Sequence, residues 1–138
     1  MSVDSTLSAD GSGVYRAPDE LSHLRARAAR AGALWLEIDA ATVRDKPGLM
    51  SALARGLAVP ATFGANWDAL ADSLQDLSWQ PASGYVLHLK NAQGLRAALG
   101  PEWVRLLDVL RTTAEYWAQR RKPFVVVVDG AEGLPSWS

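Results

Sequence analysis

Phe124-Val125-Val126-Val127-Val128 is the stretch on which the reading of the fold turns. An apolar run this short and rich in valine suits a strand, and it is too continuous for one with a wet face. It therefore reads as a strand buried on both sides, as in helix-covered parallel sheets. The residues before it supply such a helix. From Pro101, the spacing of Trp103, Leu106, Leu107, Leu110, Ala114 and Trp117 describes a long amphipathic stripe. Arg120-Arg121-Lys122 follow, cations that complement the negative end of the helix dipole, and then Pro123.

Working outward, Tyr85-Val86-Leu87-His88-Leu89 and Leu34-Trp35-Leu36-Glu37-Ile38 are two further strand candidates. Between them, Asp45-Lys46-Pro47 opens a helix carrying Leu49, Met50, Leu53 and Leu57, which must stop before Pro60. Asn66 is suited to cap a shorter helix in which Trp67, Leu70 and Leu74 share a face. Upstream, Leu21, Leu24 and Ala28 form one helix face closed by Gly32, leaving Arg25, Arg27 and Arg30 as a solvated face, and Val14 to Arg16 is a candidate edge strand. Strands separated by helices pair in parallel, because each crossover needs a dozen or more residues. The expectation is a small α/β domain over residues 14–133, with a three-stranded parallel sheet packed with helices plus an N-terminal strand and helix extension. Met1 to Gly13, rich in Ser, Asp and Gly, reads as a mobile tail.

The composition excludes several classes. The chain has 138 residues, 49% hydrophobic and 21% charged, which is ordinary for one globular domain and too apolar for a wholly disordered chain. With no cysteine, it has no disulfides, thiolate zinc sites or Cys nucleophile. The first thirteen residues carry Asp4 and Asp10 but no Lys or Arg, the wrong order for a secretory signal, and no apolar run is long enough to span a membrane, so a soluble protein is expected. Phosphate-loop, dinucleotide-binding, nucleophile-elbow and HExxH signatures are absent. His23 and His88 stand apart and read as structural or surface residues, so neither a metal site nor a cofactor is expected. Trp67, Trp103 and Trp117 are expected in the core, while Trp79 suits core or surface equally.

Charge is where the sequence becomes specific. A net charge of −1, from 14 Lys and Arg against 15 Asp and Glu, argues against a broadly basic nucleic-acid binder. It hides a segregation. From Gly56 to Leu89 there is no Lys or Arg, yet Asp68, Asp72 and Asp76 recur every four residues on one helix face. Each such pair destabilises a helix by roughly 0.2–0.5 kcal/mol, and only Asp68 lies near the favourable end of the dipole. The row reads either as a solvated face or as a recognition surface for a strongly basic partner.

The stretch Leu57-Ala58-Val59-Pro60-Ala61-Thr62-Phe63-Gly64-Ala65-Asn66-Trp67-Asp68-Ala69-Leu70-Ala71-Asp72-Ser73-Leu74 resembles the barstar family of ribonuclease inhibitors. The family pattern has a helix ending in Leu-x-x-Pro and an aromatic-Gly-x-Asn loop. An apolar residue, Asp-Ala-Leu and a second Asp four positions after the first follow. The resemblance spans about Leu34 to Asp129. It implies a cytoplasmic, non-catalytic inhibitor or immunity-type protein with no cofactor, acting on a basic extracellular-type or toxin ribonuclease. Asp72 matches the chief acidic anchor, Asp68 the neighbouring acid, Asn66 the loop asparagine and Phe63 the loop aromatic, with the carboxylates imitating RNA phosphate. Thr62 and Ala71 replace family aromatics, Gln75 and Asp76 replace smaller neutral residues, and Trp67 and Trp79 are candidates to restore aromatic area. Glu115 aligns loosely with a further acidic contact. An alternative is a nucleic-acid-binding or regulatory module using Arg25, Arg27, Arg30 and Arg120 to Lys122. A hydrolase built on Asp68 and Asp72 would lack a nucleophile or metal ligands.

Overall fold

The computed structural model describes residues 7–59 and 65–137. In chain order its strands and α-helices are β1 (Gly13–Arg16), α1 (Ser22–Arg30), β2 (Ala33–Asp39), α2 (Lys46–Leu57), α3 (Trp67–Asp76), β3 (Gly84–Lys90), α4 (Leu95–Leu99), α5 (Glu102–Gln119) and β4 (Phe124–Val128), with a 3-10 turn at Ala9–Gly11 before them. The strands form one parallel sheet in the order β1-β4-β3-β2. It has four strands rather than the expected three: the candidate edge strand pairs with β4 from Gly13↔Val125 to Arg16↔Val128. A four-residue strand has too little sequence to declare itself, and its pairing with a run more than a hundred residues away makes it a strand.

All five residues of β4 are 0% exposed, as a doubly covered strand requires. Their side chains alternate between two cores. Phe124, Val126 and Val128 join the larger one, built with Leu49, Leu53 and Leu57 of α2, Leu70 and Leu74 of α3, and Leu106 and Leu110 of α5. Val125 and Val127 join the smaller one with Val86, Leu24, Ala28 and Leu7. Thus α1 covers one face of the sheet while α2, α3 and α5 cover the other. Gly56 lets α2 lie close to β2, since a Cβ there would fall 2.5 Å from the Glu37 carbonyl oxygen. The short α4, which has no counterpart in the sequence reading, turns Leu95 and Leu99 into the larger core between Gly94 and Gly100.

Within the stretch expected to be a mobile tail, the described residues from Leu7 onward lie against the sheet. Leu7 is 5% exposed, its N–H donates to the Arg27 carbonyl, and Ser12 Oγ accepts from the Phe124 N–H at 3.0 Å. One leucine and two hydrogen bonds suffice, and composition averages over them. The arginines of α1 are similarly engaged. Arg25 lies 4.2 Å above the Trp35 ring while its Nη2 donates to Glu37 Oε2, and Arg27 sits over Trp137.

On the same face, buried His88 ties the carboxyl ends of the strands together. Its Nε2 lies 2.8 Å from Asp129 Oδ1; Asn91 donates its N–H to Asp129 Oδ2 and its Nδ2 to Asp39 Oδ1. Burial acts to raise Glu37, but the charge of Lys90, side-chain hydrogen bonds and the charge of Arg25 together outweigh it and hold the group below its ordinary value of 4.5. The Asn91 amide and the Ala41 N–H hold Asp39 below 3.8. Both folded-state values are depressed, so this stabilisation is present above the unfolded values and is lost as pH falls through the folded ones.

Two outcomes follow from these placements. Leu7→Ala should lower unfolding free energy by about 2–3 kcal/mol in urea titration; a change under about 0.5 kcal/mol would show that the segment does not support the sheet. Urea midpoints should fall as pH drops from about 6 to 3, and the fall should be shallower in a Glu37→Gln, Asp39→Asn double variant.

Candidate functional site

Helix α2 ends where Ala58 adopts φ 52°, a left-handed cap whose N–H returns to Arg55 and Ala54 carbonyls, before Pro60 can enter the helix. Thr62 and Phe63 lie outside the described residues. The chain re-enters at Ala65 and reaches Asn66, which is extended and accepts the Ala69 N–H on its Oδ1 at 2.8 Å. This is the expected N-cap. From it α3 buries Trp67, Leu70 and Leu74 and ends at Leu77, itself left-handed and 1% exposed.

That burial points Asp68, Asp72 and Asp76 outward, all exposed, with Ala71 and Gln75 half-buried along the adjoining row. Among the described residues none of the three acids is in a salt bridge. Asp76 accepts a hydrogen bond from Ser78 Oγ at 2.9 Å. No basic residue lies in the last turn of α3 to offset Asp76 at the negative end of the dipole. Its charge is felt below: burial raises the Tyr85 phenol above its ordinary value, a backbone hydrogen bond opposes this, and Asp76 adds to the rise.

Three indole N–H groups hold α3 in place. Trp67, 6% exposed, donates to Glu102 Oε2 at 2.6 Å, joining the head of α3 to the head of α5. Trp117 donates to the Leu74 carbonyl at 2.8 Å, joining their far ends. Trp79, half-buried, donates to the Leu57 carbonyl at the end of α2. Trp67 and Trp117 are therefore in the core as expected, and Trp67 turns its ring to α5 rather than offering aromatic area outward. Lys46 and Arg105 lie over that ring, 5.7 and 6.0 Å from its centre, so the nearest cations come from distant parts of the chain.

The acid row is an open surface. A cavity of about 910 Å³ lies elsewhere, between α4, the head of α5 and the turn after β4, and no acid of the row lines it. Among the described residues no group of three or more His, Cys, Asp or Glu side chains is placed to hold a metal, and no helix is long and apolar enough to cross a membrane. Glu115 borders a separate cavity with Arg111 and β1, away from the acids of α3.

The family model for barstar, the barnase inhibitor, matches residues 33–129. The chain belongs to the barstar family. The match begins at β2 and ends just after β4, so it takes in the acid row and the helices that seat it, while β1, α1 and the C-terminal segment lie outside. It is a family of inhibitors rather than catalysts. No curated protein matches the chain. Of the groups that build the site, Glu102, Lys46 and Arg105 were not legible as such, because their spacing to Trp67 carries no local signal; they meet it only through packing.

Replacing Asn66 by Ala removes the cap and should destabilise the protein by about 1 kcal/mol in thermal or urea unfolding, while Asn66→Asp should restore most of it. Equal stability of the Ala variant and the parent would show that α3 does not depend on the cap.

Proposed function

We propose that this barstar-family chain is a non-catalytic inhibitor that blocks a basic microbial ribonuclease, of extracellular or toxin type, by setting Asp72 and Asp68 where the enzyme would hold RNA phosphate. The observation that carries the reading is a row of exposed carboxylates, unpaired among the described residues, on a helix inside the family-matched region. Such groups accept charge-assisted hydrogen bonds from Arg and Lys without first breaking an internal pair. Phe63 and Asn66 precede them in sequence and join the proposed contact, and Asp76 and Gln75 extend the surface toward the end of α3.

The departures shape the partner. Ala71 and Thr62 stand where the family has aromatic residues, so charge carries more of the proposed recognition. A cytoplasmic immunity role fits an inhibitor that protects its own cell. The nucleic-acid reading loses ground because four of its cations are engaged within the chain: Arg25 on Trp35 and Glu37, Arg27 on Trp137, Arg120 on Tyr116, and Lys122 on the Ala82 carbonyl.

The test is inhibition of RNA cleavage by a panel of basic bacterial ribonucleases that includes barnase. Asp72→Ala should weaken binding of the enzyme that is inhibited by about tenfold to a hundredfold, and Asp68→Ala by less, as expected for lost hydrogen bonds to a charged group. Association should slow as salt rises through about 0.1 M, where the screening length is about 10 Å. If both variants bind as tightly as the parent, the acid row is not the interface.

A further inference from the structure

We propose that Trp67 and Glu102 are positioning residues for the acid row, fixing the angle at which Asp68 and Asp72 leave the surface. This rests on the ribonuclease-binding reading and deepens it. Helix α3 has 10 residues, below the length at which isolated helices are stable, and its like charges work against it. Its shape must therefore come from tertiary packing. Burial of Leu70 and Leu74 sets which face of the helix turns inward, but apolar contact is non-directional and leaves room for small rolls about the helix axis. Small rolls are what recognition cannot tolerate: one residue is about 100° of rotation, so a roll of a fraction of that step swings Asp68 and Asp72 away from the direction in which they leave the surface.

Directional bonds at two points remove that freedom. At the head, Trp67 Nε1 donates to Glu102 Oε2; at the far end, Trp117 Nε1 donates to the Leu74 carbonyl. The donor comes from α3 in one case and from α5 in the other, so the two helices are pinned to each other at both ends. Glu102 is the first residue of α5, where the helix dipole favours a carboxylate. Lys46 and Arg105 lie over the Trp67 ring, bringing positive charge to the same indole that donates to Glu102.

Three variants separate the bond from the packing. Trp67→Phe keeps an aromatic ring in the core but removes the N–H, Glu102→Ala removes the acceptor, and Glu102→Gln keeps an acceptor. In the full chain, hydrogen exchange of the α3 amides should quicken about tenfold in Trp67→Phe and Glu102→Ala, with sheet amides unchanged, and stay within about threefold of the parent in Glu102→Gln. With barnase, or whichever panel ribonuclease the parent inhibits, as probe, the inhibition constant should rise about tenfold in the first two and be restored in the third. Unchanged α3 exchange in Trp67→Phe overturns the proposal. So does faster exchange accompanied by undiminished inhibition. If the parent inhibits no ribonuclease of the panel, the functional reading fails instead, and α3 exchange alone decides whether Trp67 and Glu102 pin the helix.

Discussion

A strand with no exposed residue on either face sets the terms for this protein. Phe124 to Val128 are all 0% exposed, so both sides of the sheet must be covered. The region that matches the barstar family covers one side with α2, α3 and α5. Val125 and Val127 on the other side would face water, at roughly 1.5–3 kcal/mol for each fully buried valine. They are covered by Leu24 and Ala28 of α1 and by Leu7, with Trp137 packed at the margin. The segments outside the family match are thus part of the same sheet's hydrophobic balance. β1 also pairs along the edge that β4 would otherwise present.

The same packing decides where the charge goes. Once Trp67, Leu70 and Leu74 turn inward, the four-residue spacing of Asp68, Asp72 and Asp76 leaves them on the outer face together. A helix carrying such a row is weakened by its own repulsion, and here the opposing forces come from elsewhere in the chain: the Asn66 cap, apolar burial, and the indole bonds to Glu102 and from Trp117. The outcome is a surface on which three exposed carboxylates stand along one helix face. Under the ribonuclease-binding proposal this matters, because ordering mobile carboxylates at the moment of binding would weaken association.

Much of this was legible because it is local. The valine run, the stripe from Trp103 to Trp117, the Asn66 cap and the acid spacing each depend on residues a few positions apart, and periodicity reports them directly. β1 was harder to read, since Gly13–Arg16 becomes a strand only by pairing with β4. Leu7 was hidden among Ser and Asp. α4 is only five residues long, too short for periodicity to establish. Arg25 is exposed, as a solvated face implies, but helix spacing could not show that Arg25 and Arg27 lie over Trp35 and Trp137, rings far from them in sequence or outside their helix.

The sequence by itself determined the class of fold, the helix that bears the acids and the side of it on which they stand, because backbone period and side-chain polarity settle those within a few turns. Tertiary structure alone decided that the sheet has a fourth strand, that its second face is closed by residues from both ends of the chain, and that Trp67 meets Glu102 across 35 positions. Those are encounters between segments remote in sequence. They arise from the requirement that each buried face and each buried polar group find a partner, and that requirement is met only when the whole chain is packed.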